Sequence, residues 1–168
     1  MDPALGITPC RSICFDLLHT LYLGPLTSWC KHVIWILLLG GVWGVLETTQ
    51  GEQVIMGILR MRAALLDWYK ARAKLFPHEN LTRVADLTPK MVGTAAEPKL
   101  KTKAMETFGL LLFLIDMLTQ HAGVIGADAA RFAEAGRMLV RYLEIVRSSP
   151  VNMHPAAIQE PHPFPLRV

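Results

Sequence analysis

Cysteine is scarce in this chain: Cys10, Cys14 and Cys30 are the three among 168 residues. An odd, small set argues against a disulfide framework. The start, MDPALGITPCRS, lacks the basic-then-apolar order of a secretory leader. Both features point to a reducing compartment, nucleus or cytoplasm. Charge is sparse too. Asp, Glu, Lys and Arg make up 18% of the residues and the net charge is +3, too little to imply nucleic acid from composition alone. β-alternation and internal repeats are missing, which speaks against a sheet or a solenoid. Serine-nucleophile elbows, phosphate-cradling glycine loops and paired catalytic carboxylates are missing as well, so no complete active site is legible.

What is present is apolar residue, 52% of the chain with a mean hydropathy of +0.32. That suffices for one domain with a real core. Residues 1–15, with Pro3, Gly6 and Pro9, read as a loop. Asp16 to Leu23 reads as a short helix, capped by Asp16 and stopped at Gly24–Pro25. Thr27 or Ser28 is then expected to cap a helix running to Leu46, apolar on every side from Val33 onward and therefore central in the fold. The next helix is amphipathic. Val54, Ile58, Met61, Leu65 and Tyr69 share one face, and Pro77 ends it. Thr88–Pro89 marks a short helical piece. Residues 102–121 form another helix, and Asp128 is the expected N-cap of the last. In that last helix Phe132, Gly136, Leu139, Leu143 and Val146 make the apolar face. Residues 150–168, with Pro155, Pro161, Pro163 and Pro165, are expected to be a disordered tail. The predicted fold is all-α: about five helices in an irregular bundle over residues 16–149.

Four groups of residues invite a chemical reading. Asp16 and His19 stand three apart, so on a helix they share a face, where a carboxylate would hold one imidazole nitrogen. A cap and hydrogen-bonded pair is the plain structural alternative. Cys10, Cys14 and His19, with Cys30 and His32 further on, are zinc-type residues without the usual knuckle spacing, which favours no metal. Val33 to Leu46 is shorter than the about 20 residues that cross a bilayer, yet a membrane anchor is the alternative to a buried helix. Last come the bases. Arg60, Lys70 and Lys74 lie on the amphipathic helix, and Lys99, Lys101 and Lys103 lie in the loop PKLKTK. A DNA backbone would be drawn to them, with affinity falling steeply as salt rises.

The segment Asp16-Leu17-Leu18-His19, followed by Leu21-Tyr22-Leu23-Gly24, resembles the D-x-M/L-H-x-x-x-L-G signature of CACTA-type cut-and-paste transposases. The related hAT class carries Cys or Asp, two residues, then His at the same place. From Gly6 to Pro150 the chain also resembles proteins of dinoflagellate algae that look like decayed or domesticated copies of such elements. The resemblance implies an RNase H-like sheet with two Asp and one Glu holding two divalent metal ions. It also implies a helical insertion following the D-x-x-H segment. Glu106 is then the candidate third acid. The strands that would carry the first two acids are not in this sequence. The expectation is therefore a catalytically incomplete fragment or relic, without cofactor or nuclease activity of its own. It would retain binding to DNA or protein, and self-association through apolar surface meant for a missing core.

Overall fold

A computed structural model describes residues 18–44 and 49–148, with side chains from Thr20 onward. Asp16, Cys10, Cys14, the side chain of His19, the 1–15 loop and the 150–168 tail all lie outside the described residues. The described chain is helical, joined by turns and one extended stretch, with a lone antiparallel bridge between Gly93 and Pro98.

The first segment, α1 (Leu18–Leu26), is wound in wide turns and kinks at Gly24, where φ is −93° and ψ −109°. The expected stop at Gly24–Pro25 is a bend rather than an end. Pro25 lacks an N–H, so it fits directly after a kink, where that donor would have no partner. Helical backbone resumes at Leu26 and runs straight into α2 (Thr27–Leu39), which has no side-chain cap. Thr27 does not cap. Its hydroxyl donates at 2.6 Å to the Tyr22 carbonyl, a group released by the bend. Ser28 lies inside the helix, where its carbonyl accepts from His32.

α2 ends at Leu39, ahead of the expected Leu46. Glycine is the reason. Gly41 and Gly44 adopt φ of 72° and 85°, which side-chain-bearing residues rarely do. A tight turn forms, closed by the Gly44 N–H on the Gly41 carbonyl at 3.0 Å. No helix among the described residues is long and apolar enough to cross a membrane.

α3 (Gln50–Leu75) opens with a capping box. The Thr49 N–H donates to Glu52 at 3.1 Å, and the Thr49 hydroxyl accepts the Glu52 N–H at 3.4 Å. Its buried face carries Ile58, Met61, Leu65 and Tyr69, as the period predicts, with Val54 half-buried. After Phe76 the chain runs extended, and Val84 and Leu87 plug into the core. The short helix α4 (Pro89–Val92) follows the Thr88–Pro89 signal.

α5 (Ala104–Gln120) is the hub. It contacts α1, α2, α3 and the two helices that follow it, and ten of its seventeen residues are buried. The apolar helix α2 packs beside it, with Leu39 exposed at its end. A single turn, α6 (Ala122–Ile125), leads through Gly126 at φ 86° into α7 (Ala127–Ser148). Because α7 begins at Ala127, Asp128 lies within its first turn, where it pairs with Arg131 at 3.4 Å, and is not the N-cap. Ala129, Ala133, Gly136 and Leu143 are the buried positions of α7. Its far end ties back to α1. Arg147 donates to the Tyr22 hydroxyl and lies over the Phe108 ring at 4.8 Å.

Candidate functional site

Glu106 occupies the first turn of α5, where its carboxylate accepts the Lys103 N–H at 2.8 Å. A carboxylate there satisfies a donor at the helix start and interacts well with the helix dipole. Among the described residues no cluster of three His, Cys, Asp or Glu could hold a metal ion. Glu106→Ala is accordingly expected to cost about 1 kcal/mol of stability, the scale of a lost cap. A denaturation midpoint unchanged within error would remove Glu106 from the helix start.

The remaining described members of the zinc-type set are Cys30 and His32. Cys30 is fully buried, with its thiol 3.9 Å from the Thr107 carbonyl. His32 is exposed, and its Nδ1 sits 2.6 Å from the Ser28 carbonyl. A carbonyl only accepts, so Nδ1 is the donor in this contact.

Burial pushes the Cys30 thiol above its ordinary value. The Tyr69 phenol is also pushed up, chiefly by burial, and its oxygen accepts the Val84 N–H at 3.3 Å. The folded chain keeps both protons at a pH where the unfolded chain gives them up. Stability is therefore complete below the ordinary thiol value of 9.0 and falls as pH rises past it. The slope approaches about 1.4 kcal/mol per pH unit for each group. Urea unfolding at rising pH should show a steeper alkaline decline for the native chain than for Cys30→Ala. Equal declines would mean that the thiol is not buried.

Three of the six basic candidates have an acceptor beside them. Arg60 donates to the Trp43 carbonyl across the glycine turn. Lys70 pairs with Asp67 at 2.8 Å, and Lys99 with Glu97 at 3.1 Å. Lys74 is exposed near the end of α3. Lys99, Lys101 and Lys103 are exposed while Leu100 and Thr102 between them are half-buried, so the three share one side of an extended segment. Asp67 falls between Arg60 and Lys70 on the outer face of α3, which breaks the positive stripe there.

Two surface features were not read from the sequence. One is a cleft of about 240 Å³ where α3, α5 and α7 meet, bordered by Arg72, Arg137, Arg141, Asp116 and Glu144. Three of these charged side chains have partners of their own. Asp116 accepts the Trp68 indole N–H at 2.7 Å. Arg72 makes two hydrogen bonds to Glu79, at 2.5 and 2.9 Å, and stacks over Trp68 and Phe76. Arg137 pairs with Glu134 at 2.9 Å.

The other is an open groove of about 710 Å³ between the start of α2 and the middle of α7. Pro25, Ser28, Trp29 and His32 form one wall, and Phe132, Ala135, Met138, Leu139 and Tyr142 the other. Among the described residues no Asp, Glu, Lys or Arg lines it. α2 and α7 each pack on α5, so their outer flanks diverge and leave the trough. Gly136 lets Trp29 lie against α7, because a Cβ there would meet the indole Cζ2 at 2.6 Å. The Trp29 Nε1 is buried and has no hydrogen-bond partner among the described residues. Met138 and Tyr142 remain 54% and 45% exposed, a large apolar area to leave in water. The sequence hint was present: on α7 Met138 and Tyr142 stand four apart, just off the stripe of Phe132, Leu139 and Leu143.

Compared with protein-family models, with curated proteins and with solved structures, the chain matches none of them.

Proposed function

We propose that this chain is a non-catalytic helical binding module, a relic of the helical insertion region of a DDE-type transposase, which takes an apolar peptide segment in the groove between α2 and α7. One observation supports this reading above the others: among the described residues the groove is wide and neutral, whereas three of the six basic candidates have acceptors beside them. Its volume falls in the range of about 300–1,000 Å³ typical of ligand sites. Aromatic walls favour an extended or proline-containing segment, whose stiff backbone loses little entropy on docking. The nucleus or the cytoplasm is where such a module would act. An anchor built on residues 33–46 has less in its favour, since the helix there stops at Leu39.

Panning of displayed peptides against the chain tests the proposal, with Met138→Glu as the control surface. Expected are apolar, proline-containing peptides that bind the native chain and lose at least tenfold in affinity on Met138→Glu. Peptides that bind both surfaces equally would overturn the groove as the site. Duplex DNA is the contrasting ligand. Binding that weakens steeply with salt and disappears in a Lys101→Glu, Lys103→Glu double variant would place function on the basic loop instead.

A further inference from the structure

We propose that the groove between α2 and α7 is occupied by the chain's own proline-rich C-terminal segment, residues 150–168, which acts as an intramolecular competitor for outside ligands. The inference rests on the groove being a peptide site.

Reach comes first. α7 ends at Ser148. From there Tyr142 lies about 9 Å and Phe132 about 24 Å back along the helix, at 1.5 Å rise per residue. The residues beyond Ser148 number twenty, and extended at about 3.1 Å each they span about 60 Å. The segment can therefore double back and run the whole trough with length to spare.

Chemistry comes second. The groove offers Trp29, Phe132 and Tyr142 with no charged side chain. The segment offers Pro150, Pro155, Pro161, Pro163 and Pro165, with Phe164 and Leu166 among them. Its charged side chains are few, Glu160 and Arg167. Both surfaces are thus close to neutral, and neither imposes an unpaired buried charge on the other. Proline rings against aromatic faces are a recurring mode of recognition. A tether this short supplies an effective concentration on the order of millimolar, so modest intrinsic affinity keeps the groove filled.

Photocrosslinking of the full chain tests this directly. Phe164 is replaced by p-benzoylphenylalanine, which inserts into nearby C–H bonds and favours methionine. The expected product is an intramolecular crosslink to residues 132–142, Met138 foremost, with a yield independent of protein concentration. Crosslinks that join two chains and grow with concentration would assign the groove to a second copy and overturn the proposal. Crosslinks spread over other surfaces would overturn it as well.

A second measurement separates this proposal from the groove itself. In the full chain, Pro161→Ser, Pro163→Ser and Pro165→Ser together should tighten a groove-binding panned peptide about tenfold, by removing the tethered competitor. Unchanged affinity, with the peptide still lost on Met138→Glu, defeats the tethered segment and leaves the groove standing. If no peptide depends on Met138, both ideas fail together.

Discussion

Phe113→Ala should remove 3–5 kcal/mol of folding stability, roughly the scale of a deleted core aromatic. Phe113 has no solvent exposure and sits in the middle of α5, the helix on which most of the others pack. Its ring meets Trp68 edge to face, with centroids 5.9 Å apart and planes at 71°. Such a pair adds about 0.5–1.5 kcal/mol beyond area burial. Trp68 is itself held by its indole N–H on the Asp116 carboxylate, one turn further along α5. The indole therefore cannot move easily to fill the space a missing phenyl would leave, and the cavity term is felt in full. Against a typical total of about 5–15 kcal/mol, the loss is about a fifth or more of what holds the chain folded. A melting-temperature drop of about 10 °C follows for a domain of this size. Phe76→Ala is the contrast. That ring is 50% exposed and touches the Arg72 guanidinium at 4.8 Å, so its loss should cost under about 1 kcal/mol. If the two variants unfold at the same denaturant concentration, α5 does not occupy the centre of the bundle.

That central role of α5 was only half legible in the sequence. The 102–121 helix follows from period alone, but its most buried residues include Leu110, Leu111, Phe113 and Leu114, and Met105, on the stripe that the period suggests, is 42% exposed. Val33 to Leu46 has no polar face, so by the same logic it outranks α5 as the most buried helix. Backbone geometry reverses the order. The glycines after Leu39 turn the chain away, so the apolar run is divided between a helix and a turn. Amphipathic period served best where a helix has one wet face. On α3 it found Ile58, Met61, Leu65 and Tyr69, all of which the bundle buries. Caps were read less well. Thr27 and Asp128 have the right chemistry for N-caps, but a kinked continuation at Leu26 and an earlier start at Ala127 leave no helix end for either to cap.

Local pattern gave no more of the groove than Met138 and Tyr142 four apart on α7. Trp29 and Tyr142 are separated by more than a hundred residues, and neither carries a motif. The trough exists because two helices lean on a third and diverge, which is a property of packing and not of spacing. Charge patterning alone does not show what stands beside each base. Arg60, Lys70 and Lys99 read as a basic surface until the acceptors beside them are seen, the Trp43 carbonyl, Asp67 and Glu97. Surface pairs of this kind add little stability, but they reduce the field that a phosphate backbone would sense.

Gly136→Leu should cost about 3 kcal/mol and abolish groove binding together. Gly136 lies on the buried side of α7, and the Cβ of any other residue would stand 2.6 Å from Trp29 Cζ2 and 2.7 Å from Ile115 Cγ1. Real Cβ atoms do not approach that closely, so something must move. Two opposing effects decide the sign. Replacing glycine inside a helix gains up to about 1 kcal/mol from backbone entropy. Overpacking a filled interior costs about 1–3 kcal/mol and more when the neighbours are stiff. Here one neighbour is a flat indole and the other a branched side chain on the hub helix, and neither is a free end that can swing aside. A leucine adds a whole isobutyl group to that gap, so the cost outweighs the helical gain. Gly51→Ala isolates the helical term, since nothing lies within 4 Å of a Cβ there, and should leave stability unchanged or raise it by up to about 1 kcal/mol. The functional consequence comes from the same contact. Pushing Trp29 away from α7 moves one wall of the groove into the trough, so peptide affinity should fall even under conditions where the variant remains folded. A Gly136→Leu chain that binds peptide as tightly as the native one would show that Trp29 does not rest on α7 and that the groove is not the site.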